Sequence, residues 1–251
     1  MRTNKIYIFD VDGTLTPSRQ KMTKEFQKFF SEWSNKNKFY LVTGSDLPKL
    51  QEQMDFMDIE AEGIFTCCGN QFWKPDPSIV NTSAELIYDN KFEVPRKLNK
   101  LLGTIMSNSQ YPYRYGNHIE DRGSMVNFSI VGRDCTQEQR EEYFEWDKQS
   151  LERKIIANAI KEKFPDLDAV IGGQISIDIY PKGNDKSQIL EHIENIEERF
   201  CPEKYIFIGD RTMKGGNDYP LAKIMNKKSF RKFYQTEGPE QTQKILESLS
   251  D

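Results

Sequence analysis

The stretch Phe9-Asp10-Val11-Asp12-Gly13-Thr14-Leu15-Thr16 constrains this chain more than any other. It follows Lys5-Ile6-Tyr7-Ile8-Phe9, a short run of β-branched and aromatic residues. Such a run predicts a buried strand of a parallel sheet. Two aspartates at the end of a buried strand are costly to desolvate unless a cation or hydrogen bonds compensate them. Their i, i+2 spacing puts both side chains on one face if the strand continues. Gly13 allows a sharp turn, and Thr14 and Thr16 bring hydroxyls close to the carboxylates. Open α/β sheets bind ligands at this carboxyl end of their strands.

The chemistry that suits this arrangement is phosphoryl transfer through a carboxylate. One aspartate can attack phosphorus and form an acyl phosphate. The other can handle the proton of the attacking or leaving hydroxyl. Mg²⁺ takes one or two carboxylates plus phosphate oxygens. Asp10-Val11-Asp12-Gly13-Thr14-Leu15 after an apolar strand resembles the first motif of the haloacid dehalogenase (HAD) superfamily of phosphotransferases. An acidic turn that only caps a strand is the plainer alternative. It accounts less well for the whole string.

The chain has 251 residues and a formal charge of −4. That length allows one large domain or two small ones. The charge balance gives no sign of nucleic acid binding. An anionic substrate therefore needs locally clustered arginines. Cys67, Cys68, Cys135 and Cys201 form no CxxC and no disulfide framework, which points to a reduced, cytoplasmic protein. Asp10 interrupts the first apolar run, so no secretory leader is read there. No run is long enough to span a membrane.

In chain order, Thr23 is a candidate cap for a helix with Phe26, Phe29, Phe30 and Trp33 inward. Phe39-Tyr40-Leu41-Val42 predicts a second strand ending in Thr43-Gly44-Ser45-Asp46. Asp46 can cap a helix carrying Leu47, Leu50, Met54 and Met57. Gly63–Asn70 predicts a third strand and turn. Lys74-Pro75-Asp76-Pro77-Ser78 predicts a linker, with a domain boundary near residue 82. The middle third predicts an α+β unit. It holds a helix opened by Pro95, a strand at 124–131, one long helix from Thr136 to Phe164, and strands at 169–173 and 175–180. The long helix is expected to turn Leu151, Ile155, Ala159 and Ile160 inward. Lys186 then sits in a first helical turn, where a cation opposes the helix dipole, so a nearby anion is expected. Tyr205-Ile206-Phe207-Ile208 predicts another strand, ending in Gly209-Asp210, with Gly215-Gly216 returning Asn217 and Asp218. A last strand near Phe230–Tyr234 and a closing helix follow. The expected architecture is α/β: a Rossmann-like parallel core over 1–82 and 183–251, with an α+β cap inserted over 83–182.

Several longer strings sharpen the resemblance. Phe9 to Lys21, Val131 to Arg140, Ile171 to Asp178 with Asp185-Lys186, and Gly209 to Asp218 are all similar to the eukaryotic-type phosphomannomutase family. The resemblance covers nearly the whole chain. It implies interconversion of mannose 6-phosphate and mannose 1-phosphate, activated by a hexose 1,6-bisphosphate, in GDP-mannose biosynthesis. It implies Asp10 as the phosphorylated nucleophile and Asp12 as the general acid/base. Asp10, the Asp12 backbone carbonyl and Asp210 are the implied Mg²⁺ ligands, and Lys186 balances charge. A hydroxyl from the second strand end holds a phosphoryl oxygen; Thr43 and Ser45 both qualify. The implied sugar-phosphate grip is Arg19, Arg122, Arg133, Arg140, Ser176 and Asp178. A homodimer through the cap is also implied. Guanidinium forks independently suit phosphate, although Arg140 on a Glu-rich helix could equally be a solvated charge.

The sequence departs from the family pattern in three places. Tyr115 stands where the family often has another arginine. Cys67-Cys68-Gly69-Asn70 replaces a Pro-Glu-Asn-Gly type of turn. The residues after Asp218 lack the acid of a second cation loop. One metal site is therefore the expectation. A sugar-phosphate phosphatase of the same superfamily is the alternative function.

Overall fold

The computed structural model describes residues 4–54, 59–75, 84–198 and 204–249. The expected boundary at residue 82, the linker beyond Pro75, Met57 and Cys201 lie outside them. Among the described residues, eleven strands make two sheets. The strands of the larger sheet are β1 (Lys5–Phe9), β2 (Lys38–Val42), β3 (Gly63–Thr66), β4 (Gln71–Pro75), β5 (Ala84–Asp89), β10 (Lys204–Gly209) and β11 (Arg231–Gln235). Their order is β11-β10-β1-β2-β3-β4-β5. The five strands from β11 to β3 run parallel, and β4 and β5 continue the sheet antiparallel. The expected linker thus begins as strand β4. The chain leaves this sheet after Asp89, beyond the boundary expected near residue 82.

The parallel strands are apolar on both faces because helices cover both. Tyr7, Phe9, Phe39, Leu41, Ile206 and Ile208 face one side. There they meet Phe26, Phe30 and Trp33 of α1 (Lys24–Ser34), Leu50 of α2 (Leu47–Gln53) and Leu246 of α8 (Pro239–Leu249). Ile6, Ile8, Tyr40, Val42 and Phe207 alternate to the other side. They pack on α6 (Ile189–Glu197) and α7 (Tyr219–Met225). Thr23 caps α1 by accepting from the Phe26 amide, and Asp46 caps α2 through the Lys49 amide. The β1-to-β2 crossover runs on the first face and the β10-to-β11 crossover on the second. β1 and β10 are therefore the point where the winding reverses, and a crevice opens at their carboxyl ends.

The second sheet is antiparallel, in the order β6 (Ile119–Asp121), β7 (Val126–Phe128), β9 (Ser176–Pro181), β8 (Leu167–Gly172). On one face Val126, Phe128, Ile177 and Ile179 pack against α3 (Arg96–Asn108), α4 (Gln137–Ser150) and α5 (Glu152–Lys163). The other face carries Asn127, Ser176, Asp178 and Tyr180, all buried. It looks onto the core: Tyr180 and Met125 pack on Cys67 and Cys68 of the turn after β3.

The single long helix expected from Thr136 to Phe164 is two. Leu151 adopts a left-handed conformation, φ 55°, between α4 and α5. The buried Asp147 carboxylate holds the break by accepting from the Arg153 amide at 2.8 Å and from its Nε at 2.7 Å. The break rotates the second helix. Leu151, Ile155 and Ala159 face out, and Ile156, Ala157 and Ile160 are the residues inside.

Candidate active site

Asp10 leaves β1 at the crevice, its amide donating to the Ile208 carbonyl of β10 at 3.0 Å. It is buried, and each of its carboxylate oxygens has a partner. Lys186 Nζ lies 2.5 Å from Oδ1, and the Thr14 hydroxyl donates to Oδ2 at 3.2 Å. Lys186, in a 3-10 turn that precedes α6, is fully buried. The anion expected beside it is double, because Lys186 Nζ also bonds Asp218 Oδ1 at 2.7 Å. The second Asp218 oxygen accepts from the Arg211 amide at 3.0 Å.

Burial pushes the Asp10 carboxyl well above the usual carboxylate range, and Asp218 adds to this, while Lys186 opposes both. Burial pulls Lys186 down, but Asp10 and Asp218 outweigh it and hold its ammonium well above the usual value. Asp210, at the end of β10, is pushed up to about 7 by burial and by Asp218, with Arg211 opposing. Asp10, Asp210 and Asp218 each offer an oxygen within 4.8 Å of the others. Three crowded carboxylates, two buried and Asp210 half-buried, share Lys186 and the Arg211 guanidinium, whose Nε lies 3.3 Å from Asp210 Oδ2, so the cluster is one positive charge short. An all-oxygen set of this kind matches a hard divalent cation. Asp218 belongs to this cluster, although the implied ligand set was Asp10, Asp12 and Asp210 and did not include it. The signal was present in Gly215-Gly216, which lets the loop bring Asp218 back.

Gly13 makes the approach of the two strand ends possible. Its φ is +82°, and a Cβ there would stand 2.6 Å from Asp210 Oδ2. Asp12 points away from the carboxylate cluster. Its Oδ1 accepts from the Arg19 amide and from Gln53 Nε2, both at 2.8 Å, and its Oδ2 from the Ser45 hydroxyl at 3.4 Å. Gln53 was not expected from the sequence; it closes α2 and carries no motif. Of the two candidate hydroxyls after β2, Ser45 lines the pocket. The Thr43 hydroxyl instead accepts from the Ser45 amide at 3.0 Å and is buried behind it.

One pocket joins these groups to the open face of the second sheet. Asp10, Asp12, Arg19, Ser45 and Asp210 line it from the core, and Arg122, Arg140, Ser176 and Asp178 from the inserted unit. Arg140 is buried here, so it is no solvated helix charge. Arg133 stands one layer back, donating from Nη1 to the Ser176 hydroxyl at 2.8 Å. Asp178 accepts from Asn127 Nδ2 at 2.7 Å. Burial raises its carboxyl, and Arg122 and the Asn127 bond restrain the rise. Cys67 and Cys68, the replaced turn, hold left-handed conformations beneath this face. Tyr115 is not among the lining residues; it packs with the aromatic residues of the inserted unit's core.

The arrangement provides a buried carboxylate with a fixed counter-cation, a second carboxylate lining the same pocket, and arginines from the inserted unit. The profile of the family described as eukaryotic phosphomannomutase matches residues 26–250. A phosphomannomutase of Encephalitozoon cuniculi is 37% identical over 86% of this chain and 83% of its own length. Phosphomannomutase 1 of Dictyostelium discoideum is 34% identical over 98% of this chain and 96% of its own. Among solved structures, a phosphatase of the haloalkanoate (HAD) enzyme superfamily from Bacteroides thetaiotaomicron superposes with a TM-score of 0.55. It covers 99% of this chain and 94% of its own at 13% identity, a likeness of fold. Among the described residues, no helix is long and apolar enough to cross a membrane.

Proposed function

This chain belongs to the eukaryotic phosphomannomutase family, and we propose that it interconverts mannose 6-phosphate and mannose 1-phosphate through an aspartyl phosphate on Asp10. The carrying observation is the facing of two halves across one pocket: Asp10 with Lys186 behind it on the core side, Arg122 and Arg140 opposite. Arg19, Ser176 and Asp178 complete the grip on the sugar phosphate. Arg133 acts from behind Ser176.

Asp10 holds one phosphoryl group at a time. In the first half-reaction an Asp10 oxygen attacks phosphorus, the bond from phosphorus to the sugar oxygen breaks, and Asp12 delivers a proton to that oxygen. In the reverse step Asp12 takes the proton from a sugar hydroxyl, which accepts the phosphoryl group. A monophosphate becomes a 1,6-bisphosphate, reverses its ends, and returns its other phosphate to Asp10. A hexose 1,6-bisphosphate therefore primes and sustains turnover. Asp12 is placed for this work by the Arg19 amide and Gln53, which keep it out of the carboxylate cluster. Ser45 is the better placed of the two second-strand hydroxyls.

Mg²⁺ suits the carboxylates of Asp10, Asp210 and Asp218 together with the Asp12 backbone carbonyl. When bound it supplies positive charge to the transferring phosphoryl oxygens. The chain passes between core and cap after Asp89 and before Lys186, and these crossings serve as hinges. Opening lets the sugar turn; closing excludes water, which would hydrolyse the acyl phosphate. The same reading includes a homodimer through the cap and a cytoplasmic location.

Incubation with glucose 1,6-bisphosphate tests the covalent route. An acyl phosphate on Asp10, absent from Asp10→Asn, is expected. Turnover by a folded Asp10→Asn protein would contradict it.

A further inference from the structure

Glu120, on the short strand β6, was not marked by any motif. Its carboxylate is a meeting point for three cations. Oε2 accepts from Arg122 through Nε at 3.0 Å and Nη2 at 2.5 Å, and Arg133 Nη2 stands 3.6 Å away. Oε1 is paired with Lys49 Nζ. Arg122 and Arg133 belong to the cap, whereas Lys49 is on α2, in the core, one turn after Ser45. Arg122 Nη1 also donates to the Gly44 carbonyl. Lys49–Glu120 and Arg122–Gly44 thus fasten cap to core beside the pocket.

The charges explain why a carboxylate stands next to an anion site. Two buried guanidiniums side by side repel, and each has many rotamers. Glu120 gives both a shared acceptor and fixes their forks, leaving the remaining N–H groups of Arg122 for the pocket and those of Arg133 for Ser176. Three cations and one carboxylate leave a local excess of positive charge, the sign a phosphate dianion needs.

We propose that Glu120 is a positioning residue for the phosphate remote from Asp10. It orders Arg122 and Arg133, and through Lys49 it makes that order depend on the cap resting on the core. This rests on the phosphate grip described above. It adds that grip and closure are one event: ordered arginines require the core lysine. An opened cap loses Lys49 from the cluster and loosens its hold, which would allow the sugar to turn.

The test separates order from charge by sign. On charge alone, Glu120→Gln removes a negative group near the pocket and should tighten every anion. The positioning role predicts the reverse for a sugar phosphate: about tenfold weaker binding of mannose 1-phosphate, the scale of one charged hydrogen bond, with orthophosphate unchanged or tighter. Calorimetric titration reads both without turnover, so failure of the mutase reading and failure of this inference are distinguishable. Glu120→Asp should recover part of the affinity. Lys49→Met should weaken mannose 1-phosphate in the parent and add little in Glu120→Gln, since both act through one contact. Tighter or equal binding of mannose 1-phosphate by a folded Glu120→Gln protein would overturn the proposal. Fully additive losses in the double variant would overturn the link to closure.

Discussion

Replacing Lys186 with Met removes the one cation buried between Asp10 and Asp218. The two contacts, 2.5 and 2.7 Å, lie entirely out of solvent, and Lys186 and Asp218 are both 0% exposed. Screening therefore does not reduce them, and the full cost of stranding a buried charge applies, about 3–5 kcal/mol. Met fills much of the same volume, so little of this comes from a cavity. At neutral pH, urea titration of the metal-free protein should show a loss of that size with an unchanged slope. The pH dependence follows from the sign. With the lysine gone, the Asp10 carboxyl, raised by burial and by Asp218, loses the cation that opposed the rise. The folded protein then holds extra protons in the mildly acidic range, and stability falls as pH rises through it. The deficit of Lys186→Met should accordingly shrink as pH is lowered toward about 5. A loss under about 1 kcal/mol at neutral pH, or one that grows on acidification, would refute the view of Lys186 as a desolvated counter-cation.

Gly13→Ala should all but abolish activity and raise the concentration of Mg²⁺ needed, because a Cβ there meets Asp210 Oδ2 at 2.6 Å and the φ is +82°; a metal titration with unchanged affinity would count against it. Asp12→Ala should still form aspartyl phosphate from acetyl phosphate but fail to pass it to a sugar, which rapid-quench labelling reads directly. Asp210, held at about 7 by burial and Asp218, keeps its proton in the metal-free fold at mildly acidic pH. Apparent Mg²⁺ affinity should therefore climb as pH rises toward 7, and calorimetry in buffers of different ionisation heat should show proton release at pH 6.

The core was legible because its strands announce themselves. Lys5–Phe9, Lys38–Val42 and Lys204–Gly209 are apolar on both faces, and each ends in polar residues at the crevice. The pairing of Asp10 with Lys186 was foreshadowed by a lysine in an unfavourable helical position. What the sequence hid depends on contacts between distant segments. Gln53 and Glu120 are ordinary polar residues until α2 meets Asp12 and β6 meets Lys49. Leu151 and Ile155 matched a helical stripe, but the Asp147–Arg153 pair breaks that helix and turns them out. The two prolines after Lys74 resembled a linker because β4 lies where the sheet turns antiparallel, close to its edge, where Pro75 can end a strand.

The central claim is that one carboxylate passes phosphate between two ends of a hexose. Its most direct measurement uses dialysed protein with Mg²⁺ and mannose 1-phosphate, with and without glucose 1,6-bisphosphate, following mannose 6-phosphate and free phosphate together. The account predicts rapid isomerisation only with the bisphosphate, and little free phosphate in either case. Full-rate isomerisation without any phosphoryl donor, or free phosphate as the main product, would contradict it.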